Sequence, residues 1–562
     1  MDTFNILTRR AFLDRSFKIG LGVALATLTD IPLIMKRALA EGTIGLNGKK
    51  LLFVFLRGAN DSLNSVIPIQ DSAYNTDIYP TTGAVIRPNI AIAKDTVNVI
   101  DYSASGPCFD ATQYSLDVNG LLVSRAAGDA TFSYNKAIAL GNGFAALHPS
   151  LKFLGPVYNA GDLALVHRVA YPNQSRSHFD SQNYWESAAP NNKLVTDGIF
   201  YRTIIQSGLA NTSPLTGVSI QSGLPYSLRG SAAAMTNLMD PTRYNLVGIP
   251  NSTAGNYKAD RAIYASDQFP FPVKLDRDLL NLQYKNLTDT LSIFAGLMTE
   301  LGKTFLDDVN TDGDTAPYNL FPTKNSENGG YALHANDTNK FVVDTGAYNT
   351  SGTGFMNNLK AAALVLNKTD AIIAGTEFSG FDTHQTQGGL TGTHPNLQRR
   401  IAWAMYALRK YFLNNADKCT WNNLVVVTLS EFGRTTVQNG SAGTDHAEAG
   451  VMFIAGGAVN GYNKGTPHPG VFGCSNTDSY NSQSIPWVPG LSGSMFGASG
   501  RYLKRAVDYR SVLGKLIRDH LGATQNQLNQ IIPGYAVSGE HLAGGGPSSI
   551  DGVQIFGEPP IV

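Results

Sequence analysis

Acidic and histidine side chains stand beside several short apolar runs of this sequence, in positions that could bind a divalent metal ion. These residues are Asp61, Asp382, His384, Asp445 and His446. Carboxylate oxygen mixed with imidazole nitrogen suits zinc, manganese or a similar ion. Any one of them, taken alone, is more often a turn residue or a satisfied polar contact. Several at the strand ends of one sheet would converge in space, so together they predict a metal site.

The segment Ser175-Arg176-Ser177-His178 follows another apolar run and could supply a nucleophile. A serine hydroxyl is weakly nucleophilic until a metal or a base activates it. At the start of a helix it would also lie where the helix terminus favours an incoming anion. The alternative is that Ser175 or Ser177 only caps the helix. The role of His178 stays open between a metal ligand, a substrate contact and a buried polar residue.

Two further candidates lie in the motif Ser430-Glu431-Phe432-Gly433-Arg434. Glu431 could act as an acid, and Arg434 could donate two hydrogen bonds to an oxyanion. The alternative is a salt bridge that ties the loop, because perturbed arginine–carboxylate pairs are often structural. The candidate catalytic residues are therefore Ser177, Ser175, Arg176, Glu431 and Arg434.

The elements that must position these residues alternate between strands and helices. Near-continuous apolar runs predict buried strands at Leu51–Leu56, Leu163–Ala170, Ala371–Thr376, Leu424–Leu429 and Val451–Ala455. Helical spacing of apolar residues predicts helices at Asn358–Leu366, Asn396–Phe412 and Asp508–His520. This alternation predicts an α/β fold with a doubly wound, mostly parallel sheet and helices on both faces. Ligands of such sheets bind beyond the carboxyl ends of the strands, where the polar motifs stand.

The middle of the chain, about residues 191–353, is rich in Asn, Ser, Thr, Gly and Pro. We interpret it as a loop-rich insertion or cap on a single domain that covers residues 41–562. Within it, Asp308, Asn310 and Asp312 match the first half of a calcium-binding loop. Asn319 stands where that loop needs a bidentate glutamate, and acidic turns of this kind are common without calcium.

Composition and charge narrow the class of protein. The 562 residues include 43 Lys+Arg and 43 Asp+Glu, so the formal net charge is zero. A nucleic-acid partner normally requires a basic surface, and we expect no such partner. The hydrophobic fraction of 43% excludes a disordered chain. The three cysteines, Cys108, Cys419 and Cys474, follow no metal-binding spacing, and their disulfide state stays open.

The first 40 residues have the pattern of a twin-arginine signal peptide. Arg9 and Arg10 precede a mildly apolar stretch at 19–35, and Ala38-Leu39-Ala40 offers a cleavage site. Thr27, Thr29, Asp30 and Pro32 make this stretch unsuited to spanning a membrane. We expect export by the twin-arginine machinery, a periplasmic or secreted location, and no membrane span after the signal is removed. The alternative is a basic amphipathic helix that begins the fold.

Together these motifs resemble a family of twin-arginine-exported, uncharacterised proteins, domain of unknown function 1501, within the alkaline phosphatase and sulfatase superfamily. The motifs that carry the resemblance are Phe55 to Asp61, Leu147 to Leu151, Ser175 to Asp180, Gly380 to His384, Ser430 to Arg434, Gly443 to His446, Tyr509 to Val512 and Ile532 to Gly534. The resemblance covers nearly all of the chain after the signal, apart from the insertion. It implies an alkaline phosphatase-like core.

The superfamily also implies roles for individual residues. It implies two metal ions, with ligands that would here be Asp61, Asp445 and His446 for the first ion and Asp382 and His384 for the second. His468 would be the last metal ligand, and Ser177 would be the nucleophile. The spacing between the aspartate and histidine of the second pair is shorter here than in phosphatases.

Two functions from different classes follow. The first is an exported metal-dependent hydrolase of phosphate or sulfate esters, whose substrate would be an anionic small molecule or polymer. The second is an exported binding or scaffold protein that keeps the fold without turnover. Analysis of bound divalent metal separates them, because absence of metal would favour the second.

Overall fold

A computed structural model describes most of the chain that follows the predicted signal. It describes residues 44–45, 47–71, 74, 86–92, 99–100, 114–116, 122–124, 137–210, 215–233, 235–240, 293, 296–307, 319–323, 349–462, 464, 470–475, 477–480, 483–486, 502–536 and 539–562. Several predictions concern positions outside these ranges, namely the signal motif at Arg9 and Arg10, Cys108, the calcium motif of Asp308, Asn310 and Asp312, and the predicted metal ligand His468.

Nine of the described strands form one mixed, mostly parallel sheet. In chain order they are β1 (Lys50–Arg57), β2 (Leu163–Ala170), β3 (Gly217–Ile220), β4 (Thr236–Leu238), β5 (Ile373–Ser379), β6 (Leu424–Leu429), β7 (Gly450–Ala455), β8 (Val471–Phe472) and β9 (Val507–Asp508). Across the sheet the order is β4-β3-β5-β1-β6-β7-β2-β8, and β9 also pairs with β2. Strand β1 therefore lies near the middle, between β5 and β6.

Strand β7 runs antiparallel to both of its neighbours, β6 and β2. The other pairings in the sheet are parallel. Because β7 is reversed, its amino end lies at the same edge as the carboxyl ends of β1, β2, β5 and β6. The loop that leads into β7 therefore meets the loops that leave those strands.

Both faces of the sheet are buried, which explains why the strand sequences are nearly continuous in apolar residues. In β1, Leu52 and Val54 belong to one hydrophobic cluster, whereas Leu51 and Phe53 belong to another. Alternate side chains of a strand point to opposite faces. One hydrophobic core therefore lies on each side of the sheet.

Helices cover these two faces. They are α1 (Gly155–Asn159), α2 (His178–Ser187), α3 (Ile199–Ser207), α4 (Asn349–Lys368), α5 (Thr393–Asn414), α6 (Tyr509–Lys515) and α7 (Gln525–Ile531). Helix α6 continues into a π-helical turn at Leu516–His520. Buried residues of α4 and α5 belong to the cluster on one face, and those of α2, α3, α6 and α7 belong to the cluster on the other.

Shorter elements lie around the main sheet. A four-stranded sheet contains Val66–Ile67, Ala146–Leu147, Ala137–Ala139 and Val99–Ile100. Two-stranded pairs join Tyr114–Leu116 with Leu122–Ser124, Thr477–Tyr480 with Gln483–Pro486, and Gly546–Pro547 with Gln554–Ile555. Short 3-10 helices lie at Ser62–Asn64, Pro149–Leu154, Tyr226–Leu228 and Trp421–Asn423.

The predicted α/β class is confirmed, with a mixed, mostly parallel sheet and helices packed on it. The predicted strands Leu163–Ala170 and Leu424–Leu429 have the observed bounds. Strands β3 and β4 fall inside the predicted insertion, and they extend the main sheet. The limits of the insertion and of the single domain stay predictions. Within the described part of the chain, no helix combines the length and apolar character needed to cross a membrane.

Candidate metal centre

Loops from neighbouring strands meet at one edge of the sheet and bring polar side chains together. His178 begins α2 after strand β2, Asp382 and His384 follow β5, and Glu431 follows β6. His446 precedes β7, whose reversed direction brings it to the same edge. His178 and His446, which are 268 positions apart in the chain, are thereby in contact.

Three histidine Nε2 atoms and one carboxylate oxygen converge at this edge. Nε2 of His446 lies 3.0 Å from Nε2 of His178 and 2.9 Å from Nε2 of His384. Oδ1 of Asp382 lies 3.2 Å from Nε2 of His446, 3.2 Å from that of His384 and 3.5 Å from that of His178. In a tetrahedral site with bonds of about 2.0–2.1 Å, the ligand atoms are about 3.3 Å apart. The spacings among His178, Asp382 and His446, which range from 3.0 to 3.5 Å, are close to that value.

The opposite ring nitrogen of each histidine is held by an oxygen acceptor. The contacts are Nδ1 of His178 to Oε1 of Glu431 at 2.8 Å, Nδ1 of His384 to Oδ1 of Asp445 at 3.1 Å, and Nδ1 of His446 to the backbone oxygen of Arg176 at 2.9 Å. Ionised carboxylates and carbonyl oxygens accept hydrogen bonds and cannot donate them, so each Nδ1 atom carries a proton. Proteins commonly orient histidine metal ligands in this way.

When one of these histidines is neutral, its contact leaves a lone pair on Nε2. Two neutral Nε2 atoms at hydrogen-bond distance repel unless a cation lies between them. Without a metal, a second proton on His178 relieves its contact with His446, and a divalent ion would take the place of that proton. Imidazole nitrogen with one carboxylate oxygen is a donor set that suits zinc or manganese. His178, Asp382 and His446, whose ligand atoms all lie within 4.8 Å of one another, could therefore hold such an ion, and His384 contacts the last two.

His178 and Asp382 each stabilise the charged form of the other. The pKa of His178 is raised to about 9, first by its hydrogen bond to Asp382 and then by that to Glu431. Burial alone would raise the pKa of Asp382, but the contacts with His178, His446 and Arg434 lower it instead. Asp382 therefore stays ionised. Its side chain is 46% exposed, so solvent and small molecules can reach the cluster.

Glu431 is a buried carboxylate that accepts hydrogen bonds from the loop after β1 and from helix α2. Its Oε1 accepts hydrogen bonds from His178, from the backbone N–H of Gly58 at 2.8 Å and from Nε2 of Gln182 at 3.2 Å. Gly58 has a φ of 108°, and a side chain there would clash with the backbone of Asp382. Within the described part of the chain, Oε2 of Glu431 has no hydrogen-bond partner. This carboxylate thus orients His178 from inside the protein.

Arg434 is buried, and its guanidinium is engaged by the surrounding loops. It donates to Asp382 and to the backbone oxygens of Gly58, Ala59, Phe381 and Thr444. Its hydrogen-bonded carboxylate is therefore Asp382, whereas the sequence suggested a pair with Glu431. In this arrangement Arg434 fixes the loops and balances the charge of Asp382.

Asp61 forms its hydrogen bonds with residues other than His178, His384 and His446. It is buried, and it accepts hydrogen bonds from Nη1 of Arg87 at 2.8 Å and from Nη2 at 3.2 Å. Nε2 of Gln387 donates to it at 2.6 Å, and the backbone N–H of Leu63 donates at 3.1 Å. Burial alone would raise its pKa, but Arg87 brings the pKa below the usual range. The structure thus pairs this predicted ligand with an arginine.

The predicted nucleophile segment lies directly beside the cluster. Ser177 is exposed and precedes His178, and its Oγ accepts a hydrogen bond from the first turn of α2 as the N-cap. Oγ of Ser175 accepts a hydrogen bond from the backbone N–H of Ser177 at 3.2 Å. Arg176 forms an ion pair with Glu448 at 2.9 Å. A capping role and a chemical role for Ser177 are both compatible with this geometry.

The sequence leaves the role of His178 open and does not mark Gly58 or Gln182 as site residues. His178, like His384, follows a predicted strand that ends at this edge of the sheet, and this position is the sequence signal that could have identified it. Gly58 contributes a backbone N–H, which no pattern of side chains reveals. Asp445, predicted as a ligand, contacts Nδ1 of His384 and so holds that ring.

Part of the chain is similar to a known family. Residues 341–465 match the family described as "Protein of unknown function (DUF1501)". The predicted resemblance to this uncharacterised family is confirmed over that stretch, which contains Asp382, His384 and His446 but not His178. No significant match was found among curated proteins or among solved structures.

Proposed function

We propose that this chain is an exported, metal-dependent hydrolase of phosphate or sulfate esters, built on an alkaline phosphatase-like core. The observation that carries the proposal is the convergence of three histidine Nε2 atoms with Asp382 at a solvent-accessible edge of the sheet. A mostly parallel sheet with polar groups beyond its carboxyl ends agrees with a ligand site of this kind. Export rests on the motif at Arg9 and Arg10.

The proposed metal ligands are His178, Asp382, His384 and His446. When bound, a divalent ion would polarise the ester and stabilise negative charge on its oxygens. The protein's part is to keep the ligand atoms in place. Glu431 and Asp445 hold two of the imidazole rings through Nδ1. The ring of Phe432 packs 4.8 Å from those of His178 and His446, measured between ring centres.

Ser177 is the proposed nucleophile. It is exposed and directly precedes His178, so its hydroxyl lies at the edge where an ester would bind. Its hydroxyl would lose its proton to solvent, and Oγ would bond to phosphorus or sulfur as the bond to the leaving oxygen breaks. Water would later attack the intermediate, give a proton to Oγ and release the serine. Arg176 precedes Ser177 in the chain, and its exposed side chain would contact the anionic part of the substrate.

One observation favours a second function, an exported binding or scaffold protein without turnover. Structural zinc sites are usually closed by four protein ligands, whereas catalytic sites keep a position open for water or substrate. Three of the proposed ligand atoms lie within 4.8 Å of one another, and a site closed by four protein ligands would need His384 as the fourth. The exposure of Asp382 favours the enzyme, because solvent reaches the ligand atoms from one side.

Metal analysis and hydrolysis assays test the proposal together. The purified protein should contain divalent metal and hydrolyse members of a panel of aryl phosphate and sulfate esters, and His384→Ala should lose both properties. The control His541→Asn replaces an exposed histidine at a positive φ, which asparagine tolerates, and should keep both. Bound metal without hydrolysis would favour the scaffold function. Absence of bound metal would contradict the proposal.

A further inference from the structure

We propose that the site binds a single metal ion and that arginine side chains occupy the places where a second ion would be expected. This inference rests on the proposed function, because it concerns the same site. It departs from the two-ion arrangement that the superfamily resemblance implies. The observations that support this inference are the hydrogen bonds that Asp61 and Asp382 accept from arginine side chains.

Asp61, the expected ligand from the loop after β1, already binds a cation. Both of its carboxylate oxygens accept hydrogen bonds from Arg87, and both side chains are fully buried. Gln387 and the backbone of Leu63 complete the set of donors around the carboxylate. A divalent ion at Asp61 would have to displace or repel a buried guanidinium, and leaving a buried charge unpaired is costly.

Arg87 is itself held in place by the protein. Its Nε donates to the backbone oxygen of Thr436 at 2.7 Å, and Nη2 donates to that of Thr435 at 2.7 Å. Nη1 also donates to Oδ1 of Asn64 at 2.9 Å. These contacts aim the guanidinium at Asp61, so the arginine is a fixed part of this loop region.

Arg434 supplies a second built-in positive charge, beside Asp382. Its guanidinium contacts Oδ1, the same oxygen atom that approaches the three histidines. Four backbone oxygens fix the guanidinium there, and the side chain is buried. A second ion bridged to the first through Asp382 would therefore meet the positive charge of Arg434.

Two other carboxylates of this edge, Glu431 and Asp445, each have one oxygen atom engaged by hydrogen-bond donors, whereas Oε2 of Glu431 has no partner among the described residues. Oε1 of Glu431 accepts three hydrogen bonds, one of them from His178. Oδ1 of Asp445 accepts from Nδ1 of His384 and from Nδ2 of Asn439 at 2.9 Å. Two-metal sites hold their ions about 3.5–4 Å apart, with ligands for each. Among the described residues, the one group of potential metal ligands whose atoms lie within 4.8 Å of one another is His178, Asp382 and His446.

A single divalent ion also suits the charge of the cluster and of the proposed substrate. Three neutral imidazoles and one carboxylate would leave the ion with a formal charge of about +1, which attracts an anionic ester. Arg434 compensates part of the charge of Asp382 from the protein side. The site thus keeps a net attraction for anions with one ion.

The number of bound ions tests this inference. The full protein is stripped with a chelator and then titrated with Zn²⁺ or Mn²⁺ alone, with calorimetry and elemental analysis as readouts. We expect about one ion per chain, because one set of ligands closes around it. The electron paramagnetic resonance spectrum of the Mn²⁺ form should be that of an isolated ion. His178→Ala should bind the ion at least about 10-fold more weakly, whereas Asp61→Asn should still bind one ion.

Each alternative outcome is distinguishable. Two ions in the wild type, with an exchange-coupled Mn²⁺ spectrum and one ion in Asp61→Asn, would overturn the single-ion inference and leave the proposed function intact. No bound ion in the wild type would contradict the proposed function itself. Unchanged affinity in His178→Ala would show that the ion lies elsewhere and would overturn the inference. Because Asp61→Asn leaves Arg87 unpaired and can fail to fold, the spectrum of the wild type decides independently.

Discussion

Glu431 controls the orientation of His178 without reaching the converging Nε2 atoms itself. Its buried Oε1 accepts a hydrogen bond from Nδ1–H, and this fixes the ring so that a neutral His178 has its lone pair on Nε2. Glu431→Gln has nearly the same shape but lacks the negative charge. We expect its affinity for Zn²⁺ to fall about 10- to 100-fold, as for other residues that hold a metal ligand. Competition titration against a chelating dye measures the change.

A matched control separates this effect from a general loss of charge near the sheet edge. Glu377 lies within strand β5 and pairs with Arg57 at 3.1 Å, and among the described contacts neither residue touches the three histidines. Glu377→Gln should therefore keep the wild-type affinity for Zn²⁺. Equal affinity in Glu431→Gln and the wild type would contradict an orienting role for Glu431.

The sequence predicted part of the candidate site and could not predict the rest. Asp382, His384 and His446 could be identified because strand ends that share an edge bring their following residues together. Asp61 follows the central strand at the same edge, but its partner Arg87 comes from a segment with no such signal. Position at a strand end indicates the edge of the sheet and does not decide which charge a carboxylate meets.

At the scale of secondary structure, helix α2 begins with a proposed metal ligand, His178, and is capped by a predicted nucleophile, Ser177. Ser177 caps the helix, and loss of such a cap typically costs about 1 kcal/mol of stability. Loss of a serine nucleophile instead costs several orders of magnitude in rate. If the proposed mechanism holds, we expect Ser177→Ala to lose nearly all ester hydrolysis and to lower stability by no more than a cap does. Hydrolysis rates and thermal midpoints of the same preparation measure both.

Ser175→Ala is the matched control for that experiment. Oγ of Ser175 accepts a hydrogen bond from the backbone of Ser177, so its loss affects the same loop without removing the proposed attacking atom. Activity should persist in this variant. Retained hydrolysis in Ser177→Ala would make Ser177 a cap alone, and abolition by Ser175→Ala alone would move the chemical role to Ser175.

The strands were predictable from sequence because burial on both faces requires uninterrupted apolar residues, as in Leu163–Ala170. The direction of β7 was not predictable, because a buried strand has the same composition in either direction. This direction matters for the site, since it brings His446 to the edge where His178 and Asp382 lie. Strands β3 and β4 are short and lie in a polar region, so their apolar signal was too weak.

At the scale of the whole molecule, the candidate centre would join parts of the chain that are distant in sequence. His178 belongs to α2, which packs in the core on one face of the sheet, and Asp382 and His384 follow β5. His446 leads into β7. A bound ion would connect these segments across the sheet edge, so metal binding and folding stability should be linked.

Among the described residues, four further histidines are buried, and burial favours their neutral form. They are His148, His167, His394 and His520. Burial lowers the pKa of the first two to about 3 and that of the last two to about 4. In each ring, Nε2 contacts a protein oxygen atom. The unfolded chain takes up protons on these residues near pH 6.5, whereas the folded protein resists protonation until the pH is far lower.

This difference predicts that the protein loses stability in mild acid. Between about pH 6.5 and pH 4 the unfolded state binds more protons than the folded state, so the free energy of unfolding falls as the pH falls. Each buried histidine contributes up to about 1.4 kcal/mol per pH unit in that window, and nothing above it. Urea unfolding of the chelator-treated protein, from about pH 7.5 down to pH 4.5, measures the slope without a contribution from bound metal. His520→Gln, in which an amide N–H can replace the contact to the backbone oxygen of Lys50, should show a shallower slope than the wild type. A free energy of unfolding that stays constant across this window in the wild type would contradict the prediction.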